Sequence, residues 1–228
     1  MEERWYQYSL RWAKTGLVNF KRKELLMEQD CCHCDLTSFA YDYKLKETEN
    51  FTIVCDVHPL TEGHLLIIPK EHFPCIGSFP EQMRSEFEQL YRACSIFVDK
   101  YYGSCCSFEH GVIGQTVFHS HIHILPAKII SLQIIPEGEK YLKPLESISS
   151  LRSIYGEHGK YLFMSIRGVL QTVDTRLGVP RFFRDRFSSA LGKPERGNWK
   201  EMRANSDLMK TAAQENSRCM TNWAVSVS

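Results

Sequence analysis

The 228-residue sequence has no uninterrupted apolar run near the roughly 18 residues that a membrane-spanning helix needs. Its opening stretch, Met1 to Phe20, is charged and aromatic and lacks the apolar core of an export signal. A cytoplasmic location with no membrane partner is therefore expected. Net charge is nearly absent: 28 Lys and Arg against 27 Asp and Glu leave a formal +1, with the two signs interspersed. That balance excludes binding to nucleic acid by bulk electrostatics, while leaving room for a local phosphate site built from a few donors. Internal repeats and low-complexity tracts are missing as well. Cysteine is not scarce, with nine residues. An odd count, in a long chain without an export signal, points to reduced thiols rather than a disulfide framework. At roughly 150 residues per domain, the length allows one domain plus a sizeable extension.

Residues 1–30 read as helical and rich in exposed charge. The texture changes at Asn50. Phe51-Thr-Ile-Val-Cys55 is short and β-branched, and His64-Leu-Leu-Ile-Ile68 is a continuous apolar run closed by Pro69, so both read as strands. Residues 80–101 carry the main helix: Met83, Phe87, Leu90, Tyr91, Cys94, Phe97, Val98 and Tyr101 recur at three- and four-residue steps, and Gly103 ends it. Ser104 to His110 and Val117 to Leu125 read as two further strands. Beyond Ala127 the pattern turns to short helical segments punctuated by Gly and Pro. The clearest runs from Pro180 to Leu191, with Phe183, Phe187 and Leu191 on one face and Gly192 as its stop. After Lys200 the chain becomes polar, and its last fifteen residues are expected to fray.

The sharpest feature is His119-Ser-His121-Ile-His123-Ile-Leu125-Pro126. On a strand alternate side chains share a face. The three histidines would then line one side, while Ser120, Ile122 and Ile124 point into a core. Imidazole titrates near neutrality, so a neutral ring can attack while neighbouring rings stabilise charge on phosphate oxygens. A surface histidine run, a tag-like tract and a metal site are the competing readings. Interleaving with Ile and Leu argues against a tract.

The segment Gly114-Gln-Thr-Val-Phe-His-Ser-His-Ile-His-Ile-Leu-Pro126 resembles the signature of the histidine triad family, His-φ-His-φ-His-φ-φ with φ apolar. Asp56-Val-His-Pro59 followed by Glu62-Gly-His-Leu-Leu-Ile-Ile-Pro-Lys-Glu-His72 resembles the family's second block. The likeness covers about residues 31–127, with Ser120 as a polar departure at a φ position. It implies an α+β fold, an antiparallel sheet of about five strands with a long helix packed on it, and commonly a homodimer. It also implies nucleotide substrates and a covalent nucleotidyl-histidine. Carried over by position, His121 is the nucleophile, His123 and His64 contact the α-phosphate, Gln115 and Thr116 hold the phosphate chain and leaving group, and Asp56 binds the ribose hydroxyls. Glu109 falls near where many relatives carry an amide, in a loop that is a residue shorter here. A carboxylate there would repel phosphate unless protonated or paired with a histidine.

Cys31-Cys-His-Cys34 contains a C-x-x-C pair, a zinc signal whose rival is a redox motif, although no βαβ pattern surrounds it. In a zinc-binding subset of the same family such a pair joins two histidines, which by position are His72 and His119. The resemblance thus implies a structural Zn held by Cys31, Cys34, His72 and His119, with Cys32 and His33 as further potential ligands. Cys105 and Cys106 read as packing residues facing opposite ways. The domain reading is a catalytic unit over 1–127 and a mostly helical extension over 128–228 that packs on or caps the active site and selects the leaving group. This tail resembles the extension of some longer bacterial members only faintly. Arg181 and Arg184 could share a helical face for phosphate recognition, but a solvated basic face over a packed helix is the expected arrangement. Three functions follow: a nucleotide hydrolase acting at the α-phosphate, a nucleotidyltransferase or phosphorylase using the same intermediate, or a nucleotide-binding regulator without turnover.

Overall fold

A computed structural model describes residues 31–227; the helix expected over residues 1–30 lies outside the described residues. Eight strands form one sheet in the order β1-β2-β3-β5-β4-β7-β8-β6. They are β1 Lys44–Glu47, β2 Phe51–Cys55, β3 Leu65–Pro69, β4 Cys105–Glu109, β5 Ile122–Pro126, β6 Leu142–Pro144, β7 Leu162–Ile166 and β8 Val169–Val173. Every neighbouring pair is antiparallel. The helices of note are α1 Glu81–Tyr102, α2 Leu151–His158, α3 Phe182–Ala190, α4 Trp199–Ala204 and α5 Ser206–Val227.

Alternation along each strand divides the core in two. Phe51, Ile53, Leu65, Ile67, Ile122 and Ile124 face α1, whose stripe of Met83, Phe87, Leu90, Cys94, Phe97 and Val98 is buried as the helical spacing requires. Gly103 closes α1 by donating its N–H to the carbonyls of Val98 and Asp99. On the opposite face Cys106, Phe108 and Leu125 meet Leu162, Met164, Phe182, Phe183 and Phe187. Cys105 and Cys106 therefore pack on different sides of the sheet, as their adjacency on a strand dictates.

The α+β class and the mostly helical extension agree with the sequence reading, but the sheet is wider than expected. Residues after 127 supply β6, β7 and β8, and β7 pairs along the outer edge of β4 from Cys106↔Ile166 to Glu109↔Phe163. The β7–β8 hairpin turns through Arg167 and Gly168, both at positive φ (51° and 81°), the conformation that two-residue hairpins favour. Two β-rich runs around an Arg-Gly pair were a legible hairpin signal; the surrounding Gly and Pro punctuation obscured it. β1 also escapes sequence reasoning, because Lys-Leu-Lys-Glu has the charged character of a protected sheet edge rather than an apolar strand. The fraying expected at the chain end is absent from the described residues: α5 continues through Val227 and buries Cys219 and Trp223, and the Trp223 ring meets Phe97 edge-on at 4.9 Å.

Because α3 and the triad-side sheet face share one aromatic cluster, Phe187→Ala should cost about 3–5 kcal/mol and shift a single unfolding transition. Urea titrations followed by both fluorescence and circular dichroism check this. Two separated transitions, with only one moved by the substitution, would show residues 128–227 to be an independent unit.

Candidate active site

β5 starts at Ile122, so His119, Ser120 and His121 precede the strand that was expected to include them. The Ser120 N–H donates to the Phe73 carbonyl (2.6 Å), which draws this segment away from the β3 ladder. The alternation still holds: Ser120, Ile122 and Ile124 are buried, and the rings of His121 and His123 lie 5.0 Å apart.

Backbone groups set the proton on each ring. The Leu60 N–H donates to His64 Nδ1 (3.0 Å), so His64 carries its proton on Nε2 and donates it to His123 Nδ1 (2.9 Å). His123 must then hold its own proton on Nε2, a buried atom with no partner in the protein. At His121 the Nδ1–H donates to the His119 carbonyl (2.6 Å), leaving the lone pair on Nε2. Burial lowers the pKa of His121, of His123 and of His64, the last to about 4, so neutral rings prevail near neutral pH. A neutral ring with its lone pair on Nε2 thus stands beside an uncommitted N–H donor.

Both rings line a cleft with Cys32, His33, Phe39, Asp56, His58, Thr116, Arg184 and Trp199. Arg184 and Trp199 come from the extension. The Trp199 indole N–H donates to Thr116 Oγ1 (3.1 Å). The Arg184 Nη1–H donates to Asp56 Oδ2 (2.8 Å), and Nη2 donates to the His58 carbonyl (2.7 Å). Arg184 is only 6% exposed, so the solvated basic face expected around it is not formed there. Burial alone would raise the Asp56 pKa, but Arg184, His64 and His58 hold the carboxyl below its ordinary value. The extension also covers Gly114: a Cβ there would lie 2.2 Å from the Val179 carbonyl oxygen, and φ is +73°.

The structure leaves two expected substrate residues out of this cleft. Glu109 points to the α1 side, where its carboxylate accepts from the Ile76 N–H (2.9 Å), the Ser120 hydroxyl (3.0 Å) and the Tyr161 hydroxyl. It neither lines the cleft nor pairs with a histidine, because position 109 on β4 faces away from Phe108 and its neighbour His123. Gln115 turns its amide to the Pro74 carbonyl (2.8 Å). Two cleft histidines that sequence reasoning did not assign to substrate, His33 and His58, each hold a buried ring nitrogen without a partner. His33, which sits between the C-x-x-C thiols, packs edge-on at 5.0 Å from His121.

The donor atoms of Cys31, Cys34, His72 and His119 lie within 4.8 Å of one another. His119 Nε2–H donates to the Pro69 carbonyl (2.8 Å), which leaves Nδ1 as a lone pair 3.5 and 3.4 Å from the Cys31 and Cys34 sulfurs. The outer hydrogen bond thus fixes the tautomer that metal ligation requires. Two thiols and two imidazoles suit a closed tetrahedral site. His33 and Cys32 fall outside this donor set.

The arrangement is that of an α+β protein with a histidine triad that leads into a central strand at a cleft. The HIT domain family model matches residues 39–129. An uncharacterized HIT-like protein of Borreliella burgdorferi is 30% identical over 104 residues, 42% of this chain and 75% of that protein. Adenylylsulfatase HINT3 of Arabidopsis thaliana is 32% identical over 108 residues, 45% of this chain but only 54% of its own length. A Zn-bound histidine triad family protein from Mycobacterium smegmatis aligns at 21% identity with a TM-score of 0.38, covering 57% of this chain and 96% of that chain. The chain belongs to the histidine triad family.

Burial raises Glu109 to about 7. A raised folded pKa favours the protonated fold, so the contribution is full below the unfolded value near 4.5 and is lost as pH rises through 7. Glu109→Gln should therefore gain on wild type by about 3 kcal/mol between pH 4 and pH 8, read from paired urea titrations. A difference that stays flat with pH would show that folding leaves the Glu109 pKa unshifted.

Proposed function

We propose that the protein is a nucleotide hydrolase that cleaves at the α-phosphate through a covalent nucleotidyl-His121 intermediate. The observation that carries this reading is the backbone-fixed tautomer of His121 beside the partnerless Nε2–H of His123. His121 Nε2 attacks phosphorus in line and forms a P–N bond as the P–O or P–N bond to the leaving group breaks. The His119 carbonyl holds the Nδ1–H and offsets the positive charge that develops on the ring. His123 donates to a non-bridging oxygen, with His64 fixing its tautomer from behind. Water then attacks phosphorus and releases the nucleoside monophosphate and free His121. Thr116 stands at the cleft for the leaving group, and Asp56 for the sugar. The Arabidopsis relative is named an adenylylsulfatase, which supports a nucleotidyl substrate with an acidic leaving group.

Residues 1–127 act in this reading as the catalytic unit and 128–228 as the extension that caps it, since Arg184 and Trp199 line the cleft. A structural Zn at Cys31, Cys34, His72 and His119 would anchor the N-terminal segment beside the triad, and the reaction steps themselves do not pass through it. The homodimer implied by the family would have to form away from β4, whose outer edge β7 occupies. Among the described residues no helix is long and apolar enough to cross a membrane.

A panel of diadenosine polyphosphates, an adenosine phosphoramidate, adenylyl sulfate and nucleotide sugars, resolved by product chromatography, tests the chemistry. Monophosphate release is expected, falling by at least about 10³-fold in His121→Ala, with Trp199→Ala reordering the leaving groups. Diphosphate formed only with added phosphate would make the enzyme a phosphorylase instead, and binding without turnover would sink the enzyme reading. Elemental analysis should find one zinc per chain, reduced in Cys34→Ser; a metal-free wild type of full stability would remove zinc from the account.

A further inference from the structure

Asp56 sits at the junction of the cleft with the extension, and groups from both sides hold its carboxylate. Oδ1 accepts the His58 N–H (2.9 Å) and Oδ2 accepts Arg184 Nη1–H (2.8 Å). The same Oδ2 lies 3.6 Å from His64 Nδ1 and 3.8 Å from His123 Nδ1, both lone-pair nitrogens by the bonding described above. Unpaired, this buried carboxylate would place a full negative charge directly behind the rings that receive the α-phosphate. The guanidinium supplies the opposite charge at hydrogen-bond distance.

Arg184 is itself held tightly. Its Nε–H donates to the Gly197 carbonyl (3.2 Å), and Nη2 donates to the carbonyls of His58 (2.7 Å) and Arg196 (3.3 Å). Neighbouring extension residues grip the same loop: Arg196 donates to the Pro59 carbonyl (3.2 Å) while pairing with Glu215 (2.6 Å), and Asn216 donates to the Asp56 carbonyl (3.0 Å). Three contacts on the 56–59 backbone thus come from beyond residue 180, and of the three donors Arg184 is the one that also lines the cleft.

We propose that Arg184, delivered by the extension, is a positioning residue of the cleft: it neutralises and orients Asp56, so that the carboxylate can receive a ribose diol without repelling the phosphate held at His121 and His123. The inference rests on the nucleotide reading above. It makes the extension part of ligand recognition through one charge pair, which a role in packing alone would not require.

Binding of AMP and of 2′-deoxyadenosine monophosphate to the full-length chain, measured by titration calorimetry, tests it. Wild type should prefer AMP. Arg184→Met leaves the carboxylate uncompensated and should weaken AMP by at least about tenfold, and Arg184→Lys should recover part of that loss. Asp56→Asn should erase the preference for the ribose form. The decisive variant is Asp56→Asn combined with Arg184→Met. With both charges gone the phosphate meets no repulsion, so the double variant should bind AMP more tightly than Arg184→Met alone, and its fold is relieved of the buried charge. AMP binding in Arg184→Met at the wild-type level and ribose preference, or a double variant weaker than that single one, overturns the proposal. Failure of wild type to bind either nucleotide would instead overturn the nucleotide reading, and the proposal with it.

Discussion

Four histidine rings at this site owe their proton positions to backbone groups. The carbonyl of His119 holds His121, the carbonyl of Pro69 holds His119, and the N–H of Leu60 holds His64, which in turn holds His123. An imidazole has two nearly equivalent nitrogens, so without such contacts each ring would sample both tautomers. Here the lone pair of His121 is directed to Nε2, the free proton of His123 to Nε2, and the lone pair of His119 to the Cys31 and Cys34 sulfurs. These contacts give the three triad rings different free atoms, although the residues stand at alternate positions of one short segment.

The same contacts explain why the fold cannot be loosened at the site without loss elsewhere. Pro69 closes β3 and Leu60 lies in the turn before it, so ring geometry follows the register of β2, β3 and β5. On the far side, Phe108 stacks on His123 with ring centres 4.3 Å apart, and Phe183 and Phe187 of the extension pack against Phe108. The extension thus reaches the triad by two routes, through an aromatic core beneath His123 and through the Arg184–Asp56 pair beside it. The sheet continues from β4 into β7 without a break, so residue 127 marks no gap in the structure.

Two departures from the family pattern have one physical origin. Glu109 falls near the position where the family resemblance implies an amide, but its strand position turns it to the α1 face, where Tyr161 of the extension, Ser120 and the Ile76 N–H satisfy it. Ser120, the polar residue at a φ position, is the other half of that arrangement: its hydroxyl gives the buried carboxyl a donor. Each looks anomalous alone, and together they form a small buried network that ties the triad segment to β4 and β7.

Periodicity and motif spacing determined much of this protein on their own. The stripe of α1, the strands at 51–55 and 64–68 and the alternation around the triad follow from local geometry, because a helix repeats every 3.6 residues and a strand every two; the grouping of Cys31, Cys34, His72 and His119 came instead from the family resemblance. Tertiary structure alone decided the rest. A charged edge such as β1 and a short hairpin such as β7–β8 gain their stability from neighbours distant in sequence, and no local pattern names those neighbours. The direction of Glu109, the burial of Arg184 and its pairing with Asp56 across 128 residues depend likewise on which faces the folded sheet brings together. Residue type and spacing could propose the chemistry of the cleft; only the packing of the extension could decide which charges stand beside it.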